Sequence, residues 1–334
     1  MIESILPFIK LSPTVKNALH HKLPVVALES TVISHGLPYP DNRDVTRDMI
    51  DAIAENGAIP AVIALIDGYI HIGLTDDELE MFAMRSGILK ISRPDIAYCL
   101  ATKQLGATTV SATMICAAYA GIRVFSTGGL GGVHRGAETT FDISADLTEF
   151  SKTPILVVCS GVKSILDVPK TLEYLETQGV PIIGYQTDHF PLFFTHSSNH
   201  GLTQSLDNPY DIARTAEIHW ELGLSGMVIA NPVPECASIQ DDVVECWINE
   251  AVDQLNENNV TGKAVTPFIL SKVSALSEGK TLQANKALLI SNARLAGQIS
   301  ASLSALSLND SSVNDVSRVS DFKANELSRE RRKG

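Results

Sequence analysis

Short runs of consecutive apolar residues punctuate this chain, and longer stretches with apolar residues every three or four positions separate many of them. The runs at 25–28 (VVAL), 61–66 (AVIALI), 108–115 (TTVSATMI), 123–127 (RVFST), 155–159 (ILVVC), 181–185 (PIIGY) and 226–231 (GMVIAN) read as buried strands. Between them, NRDVTRDMIDAIAENG, SILDVPKTLEYLETQG and NPYDIARTAEIHWELG have helical spacing, and each ends in a glycine that can cap the helix. This alternation predicts an α/β fold, a mostly parallel buried sheet flanked by helices. Residues 262–300 break the rhythm and read as two or three helices, which predicts a helical C-terminal cap on the same domain. Residues 303–334 are rich in Ser, Asn and Asp and end in a basic cluster. The expected organisation is therefore one domain over 1–302 and a polar tail or linker over 303–334, with room for a short helix.

At 334 residues and 45% hydrophobic, the chain can bury a large core. Its formal net charge of -12 argues against a protein that coats nucleic acid or a membrane surface, since neither polyanion is attracted on average. An anionic ligand must then be held by a local site. The five cysteines (Cys99, Cys116, Cys159, Cys236, Cys246) are odd in number and lack CxxC spacing, so free thiols in a reducing compartment are expected. The start, MIESILPFIKLSPTVKNALHHK, has neither the layout of a signal peptide nor a span long enough for a membrane. A cytoplasmic protein is expected, with organelle targeting left open.

Candidate chemistry clusters at strand ends. Glu29 directly follows VVAL, where open α/β sheets build their sites, although a carboxylate there also caps turns and helices. His35 and Gly36 suit the following turn. Lys90 and Arg93, in LKISRPD, are either solvated cations or an anion pocket. In FSTGGLGGVHRGAETTFDISADL, four glycines follow a strand and either present backbone N–H groups to a ligand or form a plain turn. The segment matches neither a Walker motif nor a dinucleotide fingerprint. Asp142, Ser144 and Asp146 alternate and would share one face of an extended segment. That suits a hard cation keeping most of its waters, such as Mg²⁺ or Mn²⁺, but also ordinary turns. His134 reads equally as ligand, substrate contact or turn residue. Lys163 follows the core strand ILVVC at the expected start of a helix. It is either a snorkelling lysine or a neutral amine that forms Schiff bases with sugar aldehydes.

Taken together, ALESTVISHGLPYP, KISRPD, TTVSATM, STGGLGGVHRGAETTFDISADL, VVCSGVKSILD, ANPVPE and LQANKALLISNARLAGQI resemble the pseudouridine-5′-phosphate glycosidase family, in the family's order, from about residue 12 to 302. The resemblance implies reversible cleavage of the carbon–carbon glycosidic bond of pseudouridine 5′-phosphate to uracil and ribose 5-phosphate, with a divalent metal, usually Mn²⁺. By the same resemblance, Lys163 matches the nucleophile that forms an imine at C1′ of ring-opened ribose, Glu29 the proton donor and Asp142 the metal ligand. Lys90, the backbone at Val110, and Ser144, Ala145 and Asp146 match substrate contacts, while Thr127, His134 and Asn285 fall in motifs near the substrate. A homotrimer is implied, as is a functional link to a ribokinase-type pseudouridine kinase that supplies the substrate.

The implied chemistry is coherent. A C-glycoside has no leaving heteroatom for a two-carboxylate glycosidase to protonate. An imine supplies an electron sink, and the bond to carbon 5 of uracil breaks once that carbon is protonated. The 5′-phosphate is a handle for Lys90 and the glycine-rich backbone. His189, His196 and Cys236 depart from the family pattern, outside the implied catalytic set. Two rival readings use the same residues: a Schiff-base aldolase acting on a sugar phosphate, and a non-catalytic sugar-phosphate-binding module.

Overall fold

The computed structural model describes residues 7–258, 260 and 265–330. The first six residues, the basic end at 331–334 and the start of the expected cap at 262–264 lie outside the described residues. In chain order the strands are β1 (Ile9–Leu11), β2 (Val25–Glu29), β3 (Ile59–Ile66), β4 (Tyr69–Ile72), β5 (Leu89–Ile91), β6 (Gly106–Thr108) and β7 (Val124–Ser126). They continue as β8 (Val133–His134), β9 (Leu156–Cys159), β10 (Leu166–Asp167), β11 (Ile182–Tyr185), β12 (Ser205–Leu206) and β13 (Met227–Ala230). One sheet runs β1-β4-β3-β2-β7-β9-β13-β11-β12, with β6 joined to β3 and β5 to β6. Within it only the β3–β4 and β3–β6 pairings are antiparallel. β8 and β10 form a separate antiparallel ribbon.

Every residue of β7, β9 and β13, and every residue of β2, is buried. Successive strand residues point to opposite faces, so both faces of the sheet are covered, as the continuous apolar runs predict. The predicted helices form at Asp41–Glu55, Val168–Thr177 and Pro209–Glu221. Each is followed by a glycine in the left-handed region: Gly57 at φ 79°, Gly179 at 68° and Gly223 at 73°. The C-terminal segment forms the helices Val265–Leu276 and Lys280–Glu330. The second lies along β2, β7 and β9 and against the helices Asp41–Glu55 and Pro209–Glu221. It continues past residue 302, burying Leu306, and Ser304 Oγ donates to the Lys22 carbonyl at 2.8 Å. Among the described residues no helix is long and apolar enough to cross a membrane.

Two predicted elements differ. TTVSATMI is not a strand: β6 ends at Thr108, and Val110–Tyr119 is a helix with every residue from Val110 to Ala117 buried. A helix apolar on all sides has no polar face to mark its period, so its sequence looks like a buried strand. The helix expected just after Lys163 begins five residues later, at Val168. The Asp167 side chain accepts from Lys170 N at 3.1 Å and Pro169 sits in the first turn. Asp-Val-Pro is a stronger helix start than Ser164. Lys163 therefore lies in the loop between β9 and β10, and the helix-dipole argument for it falls away.

Candidate active site

Strand order reverses between β2 and β7: the chain leaves β2 for β3 on one side, and β7, reached later, pairs on the other and continues to β9. A switch point of this kind opens a crevice at the carboxyl ends of the strands. Leu28 pairs with Ser126, so the next residues, Glu29 and Thr127, face each other across it. Thr127 Oγ1 donates to Glu29 Oε1, and Thr31 Oγ1 lies 2.6 Å from Glu29 Oε2. Thr31 Oγ1 also meets the Thr108 carbonyl. One hydroxyl proton cannot serve both acceptors. A neutral Glu29 resolves the conflict, donating its acid proton to Thr31, which then donates to Thr108. Burial acts in the same direction and raises Glu29 above the usual carboxylate range. The Lys163 charge and the two threonine hydrogen bonds oppose this, and Asp146 adds to it.

Lys163 is delivered by two loops that run side by side. Ser160 N donates to Gly128 O at 2.8 Å, Leu130 N to Gly161 O at 2.9 Å and Lys163 N to Leu130 O at 3.1 Å. The glycines allow this close approach. Gly161 holds φ 84°, and a Cβ there would stand 2.0 Å from the Pro191 carbonyl oxygen; one on Gly129 would meet the Phe193 ring at 2.6 Å. Burial pushes the neighbouring Cys159 thiol up to about 12, so it offers no rival nucleophile. The glycine-rich segment is thus a stitched loop rather than an open phosphate cradle: Leu130, Gly131 and Val133 donate to protein acceptors.

Asp142, Ser144 and Asp146 do not share an extended face. Ser144 caps the helix Ala145–Phe150, and Asp146 lies in its first turn. Buried at 5% exposure, Asp146 accepts from Ser111 N through Oδ1 and from Gly131 N through Oδ2, both at 2.9 Å. It thereby supplies the cap that Thr109, at the N-terminus of Val110–Tyr119, does not. Asp142 is half exposed, with its Oδ2 3.8 Å from His134 Nδ1. Burial lowers the His134 pKa, Asp142 works against this, and Lys163 and Lys90 reinforce it.

Lys90 comes from β5, where it pairs with Ala107 beside the N-terminus of the helix Val110–Tyr119. Arg93 does not join it in an anion pocket. Its guanidinium grips Glu149, with Nη2 to Oε1 at 2.7 Å, because a fully buried carboxylate needs a paired charge. His189 and His196 point elsewhere; His196 Nδ1 lies 2.7 Å from the Val233 carbonyl.

One cavity of about 440 Å³ is lined by Glu29, Lys90, Val110, Thr127, His134, Asp142, Ser144, Ala145, Asp146, Lys163 and Asn285, the residues to which the family resemblance gives a role. Asn285 reaches it from the start of the C-terminal helix. Thr31, Phe193 and Leu289 line it too and went unassigned, and His35, read as a turn residue, also lines it. Thr31 carries a signal, a hydroxyl two residues past a strand-end carboxylate; Phe193 carries none. Among the described residues no three His, Cys, Asp or Glu side chains gather into a metal cage. With Asp146 occupied by two amides, Asp142 is the outward carboxylate. A lone carboxylate donor of this kind is compatible with a hard divalent cation that keeps most of its water.

Fold and cleft define an α/β protein with a buried acid and a lysine amine meeting at the carboxyl edge of a parallel sheet. The chain belongs to the family described as indigoidine synthase A like protein, which matches residues 14–302. It is 52% identical over 296 residues to a pseudouridine-5′-phosphate glycosidase of Solibacter usitatus, covering 88% of this chain and 99% of that one. A pseudouridine-5′-phosphate glycosidase of Lysinibacillus sphaericus is 53% identical over 300 residues, covering 90% and 99%. Among solved structures, the prealnumycin C-glycosynthase AlnA in complex with ribulose 5-phosphate superposes with a TM-score of 0.85 at 40% identity, over 91% of this chain and 99% of that one. An indigoidine synthase A-like protein from Thermotoga maritima gives 0.81 at 38% identity, over 89% and 97%.

Proposed function

We propose that this protein is a C-glycosidase that reversibly cleaves pseudouridine 5′-phosphate to uracil and ribose 5-phosphate through an imine on Lys163. The observation that carries the reading is the pairing of Glu29, buried and biased toward its neutral form, with the Lys163 amine in one cavity. Relatives about half identical over nearly their whole length bear the glycosidase name.

The unprotonated Lys163 amine attacks C1′ while the ring oxygen leaves that carbon with a proton from Glu29. The new C1′–N bond leaves a surplus proton on nitrogen, which returns to Glu29. The nitrogen lone pair then forms the C1′=N bond as the C1′–C5 bond breaks; its electron pair stays on carbon 5, which takes the proton from Glu29. Uracil departs, and water adds to the imine to release ribose 5-phosphate and restore the amine. Substrate and one water balance the two products. Thr31 and Thr127 hold the carboxyl between both protonation states, accepting from it or donating to it. Lys90 and the backbone at Val110, beside the Asp146-capped amide of Ser111, hold the 5′-phosphate. Asn285, His134 and the Ser144–Ala145 backbone complete the polar wall around the base and ribose. Asp142 would hold a divalent metal, Mn²⁺ or Mg²⁺, which when bound organises water and polar groups around the substrate. We further assign a cytoplasmic homotrimer working after a kinase that phosphorylates the nucleoside.

Borohydride reduction of the protein with ribose 5-phosphate and Mn²⁺, followed by peptide mass spectrometry, tests the reading. An adduct of reduced ribose 5-phosphate on Lys163, absent in Lys163→Ala, together with uracil release from pseudouridine 5′-phosphate, supports it. Cleavage without an adduct overturns the nucleophile; an adduct without uracil release leaves the aldolase.

A further inference from the structure

Asn292 lies on the C-terminal helix, fully buried, about one helical turn beyond the cavity residue Leu289 and about two beyond Asn285. Its side chain faces the carboxyl ends of three neighbouring strands. Nδ2 donates to the Thr127 carbonyl at 2.9 Å, just past β7, and lies 3.1 Å from Ser160 Oγ, just past β9. Oδ1 accepts from Asn231 Nδ2 at 2.8 Å, just past β13. An amide offers two donors and one acceptor oxygen, and here the strand ends use both kinds. Of the three segments it touches, one holds the threonine that bonds the acid and another leads to the amine. Thr127 donates to Glu29, and Ser160 opens the loop that ends at Lys163. A buried polar group in the apolar stripe of a helix is costly unless fully bonded, so its neighbours are held in one arrangement.

We propose that Asn292 is a positioning residue that sets the acid and the amine relative to each other, through the Thr127 carbonyl on one side and the Ser160 hydroxyl on the other. The proposal rests on the imine reading above. It assigns Asn292 no contact with substrate; it acts by fixing the spacing between an amine that bonds C1′ and an acid that delivers its proton to the ring oxygen and carbon 5, both attached to C1′.

The test compares Asn292→Ala with Ser300→Ala in the full-length protein. Ser300 is buried on the same helix and donates to the Val25 carbonyl at 3.1 Å, at the opposite end of the sheet. Both variants lose one buried polar side chain, and only one loses it at the site. Uracil release is normalised to the fraction of chains trapped on Lys163 by borohydride. Asn292→Ala is expected to lower kcat 10- to 100-fold with KM changed less than threefold. It should also move the alkaline limb of the pH profile upward, since Thr127, loosened, no longer holds Glu29 down. Thr31 and Asp146 also face Glu29 and keep their contacts in the variant, and a Lys163 charge drawn away from Glu29 moves the limb in the same upward direction. Ser300→Ala is expected to melt lower with wild-type kcat and pH profile. Should Asn292→Ala not fold, Ser160→Ala removes only the hydroxyl that contacts the Asn292 amide, at 3.1 Å from Nδ2 and 3.3 Å from Oδ1, and its adduct formation is expected to slow three- to tenfold.

Asn292→Ala with wild-type turnover per trapped site and an unmoved pH limb overturns the positioning role, as does Ser160→Ala forming adduct at the wild-type rate. A wild-type protein that traps no ribose 5-phosphate instead overturns the imine reading, a different result read in a different sample.

Discussion

Replacing Asp146 with asparagine separates two roles that the cavity alone leaves merged. If Asp146 only touched substrate, Asp146→Asn would change KM and leave the fold alone. The structure instead shows both carboxylate oxygens accepting backbone amides at 2.9 Å, one capping the helix Val110–Tyr119 and one fixing Gly131. Asparagine offers one oxygen for two amides and turns its NH₂ toward the other N–H. One charge-assisted hydrogen bond is lost, about 1.5–3 kcal/mol, and a donor is left facing a donor, so the total cost is about 2–4 kcal/mol. No relaxation is easy, because a Cβ on Gly131 would already meet Ser144 Oγ at 2.2 Å; the strands of chain are packed to contact. For a domain of this size that cost lowers Tm by roughly 3–6 °C. Thermal unfolding followed by circular dichroism, at matched protein concentration, measures it. Asp146→Asn melting within about 1 °C of wild type would refute the amide-bridge account and leave substrate contact as its role.

Four further outcomes follow from the same geometry. Glu29→Gln keeps the threonine contacts but has no proton to give, so uracil release should fall about 10²- to 10⁴-fold while the ribose 5-phosphate adduct on Lys163 still forms; unchanged uracil release would place the acid elsewhere. Because burial raises the Glu29 pKa, its contribution to stability is fully present below pH 4.5 and is lost as pH rises through the folded-state value. Wild type should therefore lose stability relative to Glu29→Gln across that window in denaturant titrations, and parallel curves would contradict the burial argument. Lys90→Ala should raise the concentration of ribose 5-phosphate needed for half-maximal trapping about 10- to 100-fold, and leave trapping of unphosphorylated ribose unchanged. Chelation should abolish uracil release and Mn²⁺ restore it in wild type but not in Asp142→Ala; activity indifferent to chelators would remove the metal assignment.

Much of this arrangement is legible in the chain because strand ends and site residues coincide. VVAL-E, VFS-T and LVVC-SGVK each place a chemical group just beyond an apolar run, and in a parallel sheet those positions converge. What sequence alone misread has specific causes. The helix Val110–Tyr119 lacks a polar face, so its period is invisible. Alternation of Asp142, Ser144 and Asp146 suggests one face only while the backbone stays extended, and Ser144 as a helix cap ends that extension. Arg93 looked available for an anion because its partner, Glu149, lies 56 residues away and no local pattern links them. Asn292 stands in LLISNARLAG beside Ser291 and near Arg294, with nothing local to mark it as the buried one, and its three partners come from positions 127, 160 and 231.

The span of those partners bears on the order in which the molecule becomes active during synthesis. Glu29, Thr127 and Lys163 leave the ribosome long before the helix Lys280–Glu330, the last of the described elements. Until that helix docks, the ends of β7, β9 and β13 lack the amide that ties them, and Asn285 is missing from the cavity wall. A nascent chain therefore carries its reactive lysine and its acid without their working geometry. Turnover of substrate thus doubles as a readout of this helix being synthesised and docked, and a nascent or nicked product that has lost it would be catalytically silent even with its sheet in place.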